Sequence, residues 1–194
     1  MIRPDPNRPS RGFEPIACGD ARILVLGSLP SRRSLQAGEY YAHPRNAFWP
    51  IVAALTGVSG AYARRCASLT ERRVALWDVL ESSERPGSLD AAIRQDTARA
   101  NDFETFFREH SHVERICFNG RTAAQLFRKF VDPVIDASGR QQLVLPSTSP
   151  AYAAMPFDAK LAHWRAALDL TPSSVTARCR RSRRCGCARP ARVP

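Results

Sequence analysis

Four short apolar runs, Ile23 to Leu26, Val74 to Trp77, Arg115 to Phe118 and Leu143 to Leu145, set the tightest limit on how this chain can fold. Each is rich in leucine, β-branched or aromatic residues, is flanked by turn formers, and lacks the polar alternation of a strand with one wet face. They predict strands buried on both sides, as in a parallel sheet. Helical patterns lie between them, and strands alternating with helices imply a three-layer α/β/α sandwich around a central four-stranded parallel sheet. With 194 residues, 44% of them hydrophobic, the chain is large enough for one such core.

The helical segments have recognisable punctuation. Ala47 to Leu55 ends at Thr56-Gly57 and tolerates Pro50 only if that residue falls in the first turn, where its missing N–H costs nothing. Asn101 followed by Glu104 reads as a capping box ahead of Phe103, Phe106 and Phe107. Arg121 to Phe130 carries Ala124, Phe127 and Phe130 on one side, and Ala159 to Leu168 carries Leu161, Trp164 and Leu168 on one stripe. The division expected is a flexible N-terminus over residues 1–14, one domain over 15–170, and a disordered Arg-rich tail over 171–194.

The formal charge of +11 is uneven, because seven arginines and no acid fall after residue 170. Such a balance favours polyanion partners through counterion release, although a cationic tail by itself is equally a solvated end. No apolar run is long enough to span a membrane and none follows the N-terminal charges, so a cytoplasmic protein without membrane contact is expected. Cys18, Cys66 and Cys117 are too far apart for a staple framework and read as small buried hydrophobes. Cys179, Cys185 and Cys187 lack the second ligand pair a zinc site needs, and three core cysteines are too few for an iron–sulfur cluster, so no metal or other cofactor is expected.

In a parallel sheet of this kind ligands bind beyond the carboxyl ends of the strands. The loops there read Gly27-Ser28-Leu29-Pro30-Ser31, Asn119-Gly120 and Pro146-Ser147-Thr148-Ser149-Pro150, all small, polar or rigid. The first has one glycine and no Gly-x-Gly-x-x-Gly, which argues against a dinucleotide or sugar-phosphate enzyme. Close behind it comes YYAHPRNAFWPI, residues 40–51, where aromatic faces, an imidazole and a carboxamide crowd between two prolines. A loop sealing its rings into the core would look like this, and so would a pocket gripping a flat heterocycle.

LVLGSLPSRRSLQAGEYYAHPRNAFWPI, CFNGRTA and LPSTSPAYA, in that order, resemble the hypoxanthine-DNA glycosylase branch of the uracil-DNA glycosylase superfamily, over roughly residues 15–170. Mismatch-specific relatives have an aromatic-Ala-His-Pro-x-Asn-x-Phe-Trp segment that this chain matches from Tyr41 to Trp49. In the first loop it departs from them, with Leu29 where they place a water-positioning asparagine. Leucine cannot bind a water, so another side chain must hold the nucleophile. The resemblance assigns that task to Asn46, which is equally suited to capping the helix after it. The two roles are compatible.

The resemblance also implies the remaining roles. Backbone N–H groups of the Gly27 to Ser31 loop would bond a base carbonyl. Tyr41 would stack on the base, and His43 would be a structural hydrogen bonder or a general base. Asn119 would read a base edge, or merely form a turn. Ser147, Thr148 and Ser149 would contact DNA phosphates; the leucine that relatives use as a wedge is missing here, and Tyr152 is the candidate in its place. The implied activity is a monofunctional glycosylase acting, as a monomer, on double-stranded DNA with deaminated bases. A mismatch-specific uracil glycosylase and a non-catalytic binder of damaged DNA are the alternatives. Lys129 and Lys160, the only lysines, fall in predicted helices away from the pocket loops, so no lyase step is expected.

Overall fold

The structure, a computed structural model, describes residues 10–86 and 89–169. Its centre is a four-stranded, all-parallel sheet built from β2 (Ile23–Gly27), β3 (Val74–Asp78), β6 (Arg115–Asn119) and β7 (Gln141–Leu145), in the order β3-β2-β6-β7. Registers are regular, with Val25 opposite Leu76 on one side and Cys117 on the other. Every residue of β2 and β3 is buried. β3, at one edge, is covered by an antiparallel bridge from Ile16 to Leu76.

The helices are α1 (Arg32–Ala37), α2 (Phe48–Thr56), α3 (Tyr62–Thr70), α4 (Phe103–Glu109), α5 (Arg121–Phe130) and α6 (Phe157–Leu168). They flank the sheet in two groups, each joined by stacked rings. In one, Phe48 of α2 meets Trp164 of α6 edge-on at 5.8 Å, and Trp49 meets Tyr62 of α3 at 5.7 Å. In the other, Trp77 of β3 packs on Phe103 and Phe106 of α4, and Phe103 and Phe118 pack on Phe127 of α5. Phe48, Phe118, Phe127 and Trp164 are almost wholly buried, so truncating any of them costs about 3–5 kcal/mol. A smaller sheet, with β4 (Leu80–Ser83) between β1 (Ser10–Arg11) and β5 (Arg99–Ala100), lies beside this core.

Some sequence expectations need correction. β7 is longer than Leu143 to Leu145 and is an edge strand with Val144 46% exposed, so the short apolar run overstated its burial. The α4 cap is Asp102, whose carboxylate accepts from the Thr105 N–H at 3.0 Å. Asn101 instead donates from Nδ2 to the Asp78 carbonyl at 2.8 Å, tying the start of α4 to the end of β3. α1, α3 and the small sheet add to the elements expected from the sequence. Ser10 and Arg11, assigned to the N-terminal end, pair with Ser83 and Ser82. The tail with Cys179, Cys185 and Cys187 lies outside the described residues. Cys18, Cys66 and Cys117 are buried, and burial pushes the Cys117 thiol up to about 12.

Candidate active site

All four parallel strands end on the same side, and the loops that follow them line a cleft of about 550 Å³ with its open mouth included. Gly27, Ser28, Leu29, Pro30, Tyr41, Asn46, Asn119, Ser147, Thr148 and Ser149, all singled out in the sequence, line it together. Ser31, Ser34, Tyr40, Asp78, Arg85 and Asp90 complete the lining. His43 does not line it. Its Nδ1 accepts from the Arg45 N–H at 3.1 Å, and its carbonyl accepts from the Asn46 N–H at 2.8 Å, so it shapes the bend that presents Asn46.

The loop after β2 is held from behind through its carbonyls. Gly27 O and Ser28 O accept from Val79 N and Leu80 N, and Ser31 O accepts from Leu35 N at the start of α1. Leu29 O and Pro30 O both accept from the guanidinium of Arg85, which is 97% buried. Asp90 lies 3.7 Å from Arg85 and accepts from the Ser28 hydroxyl at 2.7 Å. A buried arginine without a carboxylate would be costly, and Asp90 supplies one.

Asn46 sits half-buried at the rim. Its Oδ1 accepts from the Phe48 N–H at 2.9 Å, which satisfies one orphan donor at the start of α2, although the N-cap position itself is Ala47 and Asn46 lies one residue before it. Pro50 falls in that first turn, as the sequence requires. A carboxamide oxygen has two lone pairs, so the capping bond leaves one for another donor.

The segment before α2 is pinned to the rest of the site by its backbone. Ala47 N donates to Thr148 O at 3.0 Å, Trp49 Nε1 donates to Tyr40 O at 2.7 Å, and Ala42 N reaches Ser34 Oγ at 3.3 Å. Tyr41 takes φ = 53°, a left-handed conformation rare for a bulky residue and worth roughly 1 kcal/mol or more of strain. Its ring stacks at 4.3 Å, tilted 34°, on Phe48, so one face is already occupied. Phe48 and Trp49 are buried anchors.

Asn119 is committed to the last loop. Its Nδ2 donates to Thr148 Oγ1 and its Oδ1 accepts from Thr148 N, both at 2.8 Å. Next to it Gly120 has φ = 99°, and a Cβ there would stand 2.9 Å from that of Ser147. Only glycine lets β6 and the Ser147–Ser149 loop come this close. Trp164 Nε1 secures the same loop through Pro146 O at 3.0 Å. Lys160 corrects an expectation: although on a helix, it is buried and its Nζ donates to Tyr152 O at 2.7 Å, so it steadies the far end of this loop without lining the cleft. Tyr152 itself is 38% exposed.

The sequence reading missed Asp78, Arg85 and Asp90. Asp78 closes β3 and is 97% buried, and its Oδ2 and the Tyr41 hydroxyl both lack a well-formed hydrogen bond. Burial, reinforced by the Asp90 carboxyl and opposed by Arg85, pushes the Asp78 carboxyl up to about 7. Burial and the charge of Asp78 likewise raise the Tyr41 phenol, with a smaller opposing influence from the Asn119 amide. Gly27 makes this arrangement fit, since a Cβ there would lie 2.2 Å from Asp78 Oδ1 and 2.9 Å from Tyr41 Oη. The signal for Asp78 was present: an acid at the carboxyl end of an apolar run, where a parallel sheet puts its site.

A parallel α/β sandwich with a polar, aromatic-walled cleft beyond the carboxyl ends of its strands places that cleft where open parallel sheets bind their ligands. The family model for the uracil DNA glycosylase superfamily matches residues 15–170, and the chain belongs to that superfamily of DNA glycosylases. It is 35% identical over 144 residues to a hypoxanthine DNA glycosylase of Methanosarcina acetivorans and 30% identical over 144 residues to one of Methanosarcina barkeri. Each of these matches covers 73% of this chain and 87% of the relative. A solution NMR structure from M. acetivorans, described as a candidate uracil DNA glycosylase, superposes with a TM-score of 0.70 at 32% identity, over 84% of this chain and 99% of that one. Among the described residues no helix is long and apolar enough to cross a membrane, and no cluster of His, Cys, Asp or Glu is arranged to hold a metal ion.

Proposed function

We propose that the chain is a monofunctional glycosylase that hydrolyses the N-glycosidic bond of deoxyinosine in double-stranded DNA, releasing hypoxanthine and starting base excision repair. The observation that carries this reading is Asn46: a carboxamide at the cleft rim, oriented by its own capping bond, with an Oδ1 lone pair to spare. That oxygen accepts a hydrogen bond from a water and aims it at C1′. Leu29, which cannot do so, is a buried part of the cleft lining. The names of the two Methanosarcina relatives support hypoxanthine as the base.

Breaking the bond creates an oxocarbenium-like sugar and a negatively charged purine, so positioning and neutral hydrogen bonds carry the catalysis. Water adds its oxygen to C1′ as the C1′–N9 bond breaks. The bonding pair passes to the purine, and one water proton ends on the released base. The first loop, with its carbonyls engaged from behind, offers its N–H groups to the base. Extruding the base costs a few kcal/mol, least where pairing is already damaged, as for hypoxanthine opposite thymine. The protein acts as a cytoplasmic monomer without a cofactor.

Release of free base from duplexes carrying one deoxyinosine or one deoxyuridine tests the reading. Faster release from deoxyinosine is expected. Preferential release of uracil would make it a mismatch-type uracil glycosylase, and release of neither base would leave a binder of damaged DNA.

A further inference from the structure

The cleft holds two buried oxygens that the protein leaves without a well-formed hydrogen bond, Asp78 Oδ2 and Tyr41 Oη. Buried polar atoms are normally satisfied, and an orphan at a ligand cleft points to a partner supplied by the ligand. Both belong to side chains that crowd one spot. Gly27 has no Cβ, and the space it frees is filled by Asp78 Oδ1 and Tyr41 Oη. Tyr41 adopts a left-handed backbone to bring its hydroxyl there. Strain, a glycine cradle and two unsatisfied oxygens thus coincide at the carboxyl ends of β2 and β3.

We propose that Asp78, as a neutral carboxylic acid, pairs with the lactam edge of the everted base, its O–H donating to the base carbonyl and its C=O accepting the adjacent ring N–H, while Tyr41 donates a second hydrogen bond to that carbonyl. Deamination creates this edge: C6=O beside N1–H in hypoxanthine, C4=O beside N3–H in uracil. A carbonyl oxygen accepts from both Asp78 and Tyr41, whereas an exocyclic amine accepts from neither. The same two donors stabilise negative charge on the base as the glycosidic bond breaks. An ionised carboxylate would oppose that charge, and burial at this position favours the neutral form. The charged and titratable groups facing Asp78 are Arg85, Asp90, Tyr41 and Tyr40, and Asp90 is the other carboxyl among them.

The inference rests on the glycosylase reading, and its test separates the two. Single-turnover base release from a deoxyinosine duplex is followed between pH 5.5 and 9 for wild type, Asp78→Asn, Asp78→Leu and Asp90→Asn. Wild type is expected to lose rate as pH rises through about 7, and Asp90→Asn to keep that fall. Asp78→Asn retains a donor and an acceptor, so it is expected to stay within about tenfold of wild type at low pH and to lose the fall. Asp78→Leu is expected to drop about 100-fold, the usual loss of one such donor. An active wild type whose pH profile survives unchanged in Asp78→Asn overturns this inference alone. A wild type that releases no base overturns the glycosylase reading and this inference with it.

Discussion

Replacing Asp78 by asparagine isolates the cost of burying that carboxyl. Its folded value, about 7, lies above the ordinary 3.8, so the native state binds the proton more tightly than the unfolded chain. Stability from this group is therefore complete below about pH 4, is lost as pH rises toward 7, and is constant above. At 1.36 kcal/mol per pH unit the full loss is about 4 kcal/mol, of which about 2.5 kcal/mol falls between pH 5 and pH 8. Asparagine is nearly isosteric and does not titrate. Urea unfolding of both proteins at half-unit steps from pH 5 to pH 8 gives the difference directly. The variant should gain on wild type by about 2.5 kcal/mol across that window, most of it below pH 7. A difference that stays constant within about 0.5 kcal/mol, the scatter of a neutral surface change, would refute the burial argument.

The remaining predictions concern the walls of the cleft. Tyr41→Phe removes a buried hydroxyl that lacks a well-formed hydrogen bond, so stability should be unchanged or higher by up to about 1 kcal/mol while base release slows; thermal denaturation beside a release assay checks both. Gly27→Ala drives a methyl against Asp78 and Tyr41 and should cost about 1–3 kcal/mol and most of the activity, read by urea titration and single-turnover release. Arg85→Met strips two carbonyls of the first loop of their donor and leaves Asp90 unpaired, with an expected loss of about 3 kcal/mol by denaturant titration. Lys160→Met should leave the rate of base release within about twofold, and borohydride should trap no covalent adduct with wild type, because Lys160 is spent on Tyr152 O.

The architecture was readable because buried parallel strands are nearly continuous apolar runs, and three of the four here are buried along most of their length. β7 was harder, since two glutamines begin it and an edge strand tolerates them. α3 has an apolar stripe, but it is short and begins without a capping side chain, and the two-residue strands β1 and β5 carry no period at all. For the site, spacing marked the loops but could not say which atoms were already taken. Asn119 and Asn46 read alike in sequence, yet the first has both its amide oxygen and its amide nitrogen bonded to Thr148, whereas the second is bonded through its oxygen to the start of α2. Asp78 carried its signal in its position, an acid closing an apolar strand, whereas its partners Arg85 and Asp90 meet it only through the fold.

The water-holding role of Asn46 is tested most directly by Asn46→Ser, because serine also caps helices well but is too short to reach the same point. Single-turnover release of hypoxanthine from a deoxyinosine duplex is compared with wild type, alongside urea stability. The account predicts stability within about 0.5 kcal/mol and a rate at least about 100-fold lower. Equal stability with a wild-type rate would contradict it and reduce Asn46 to a helix cap.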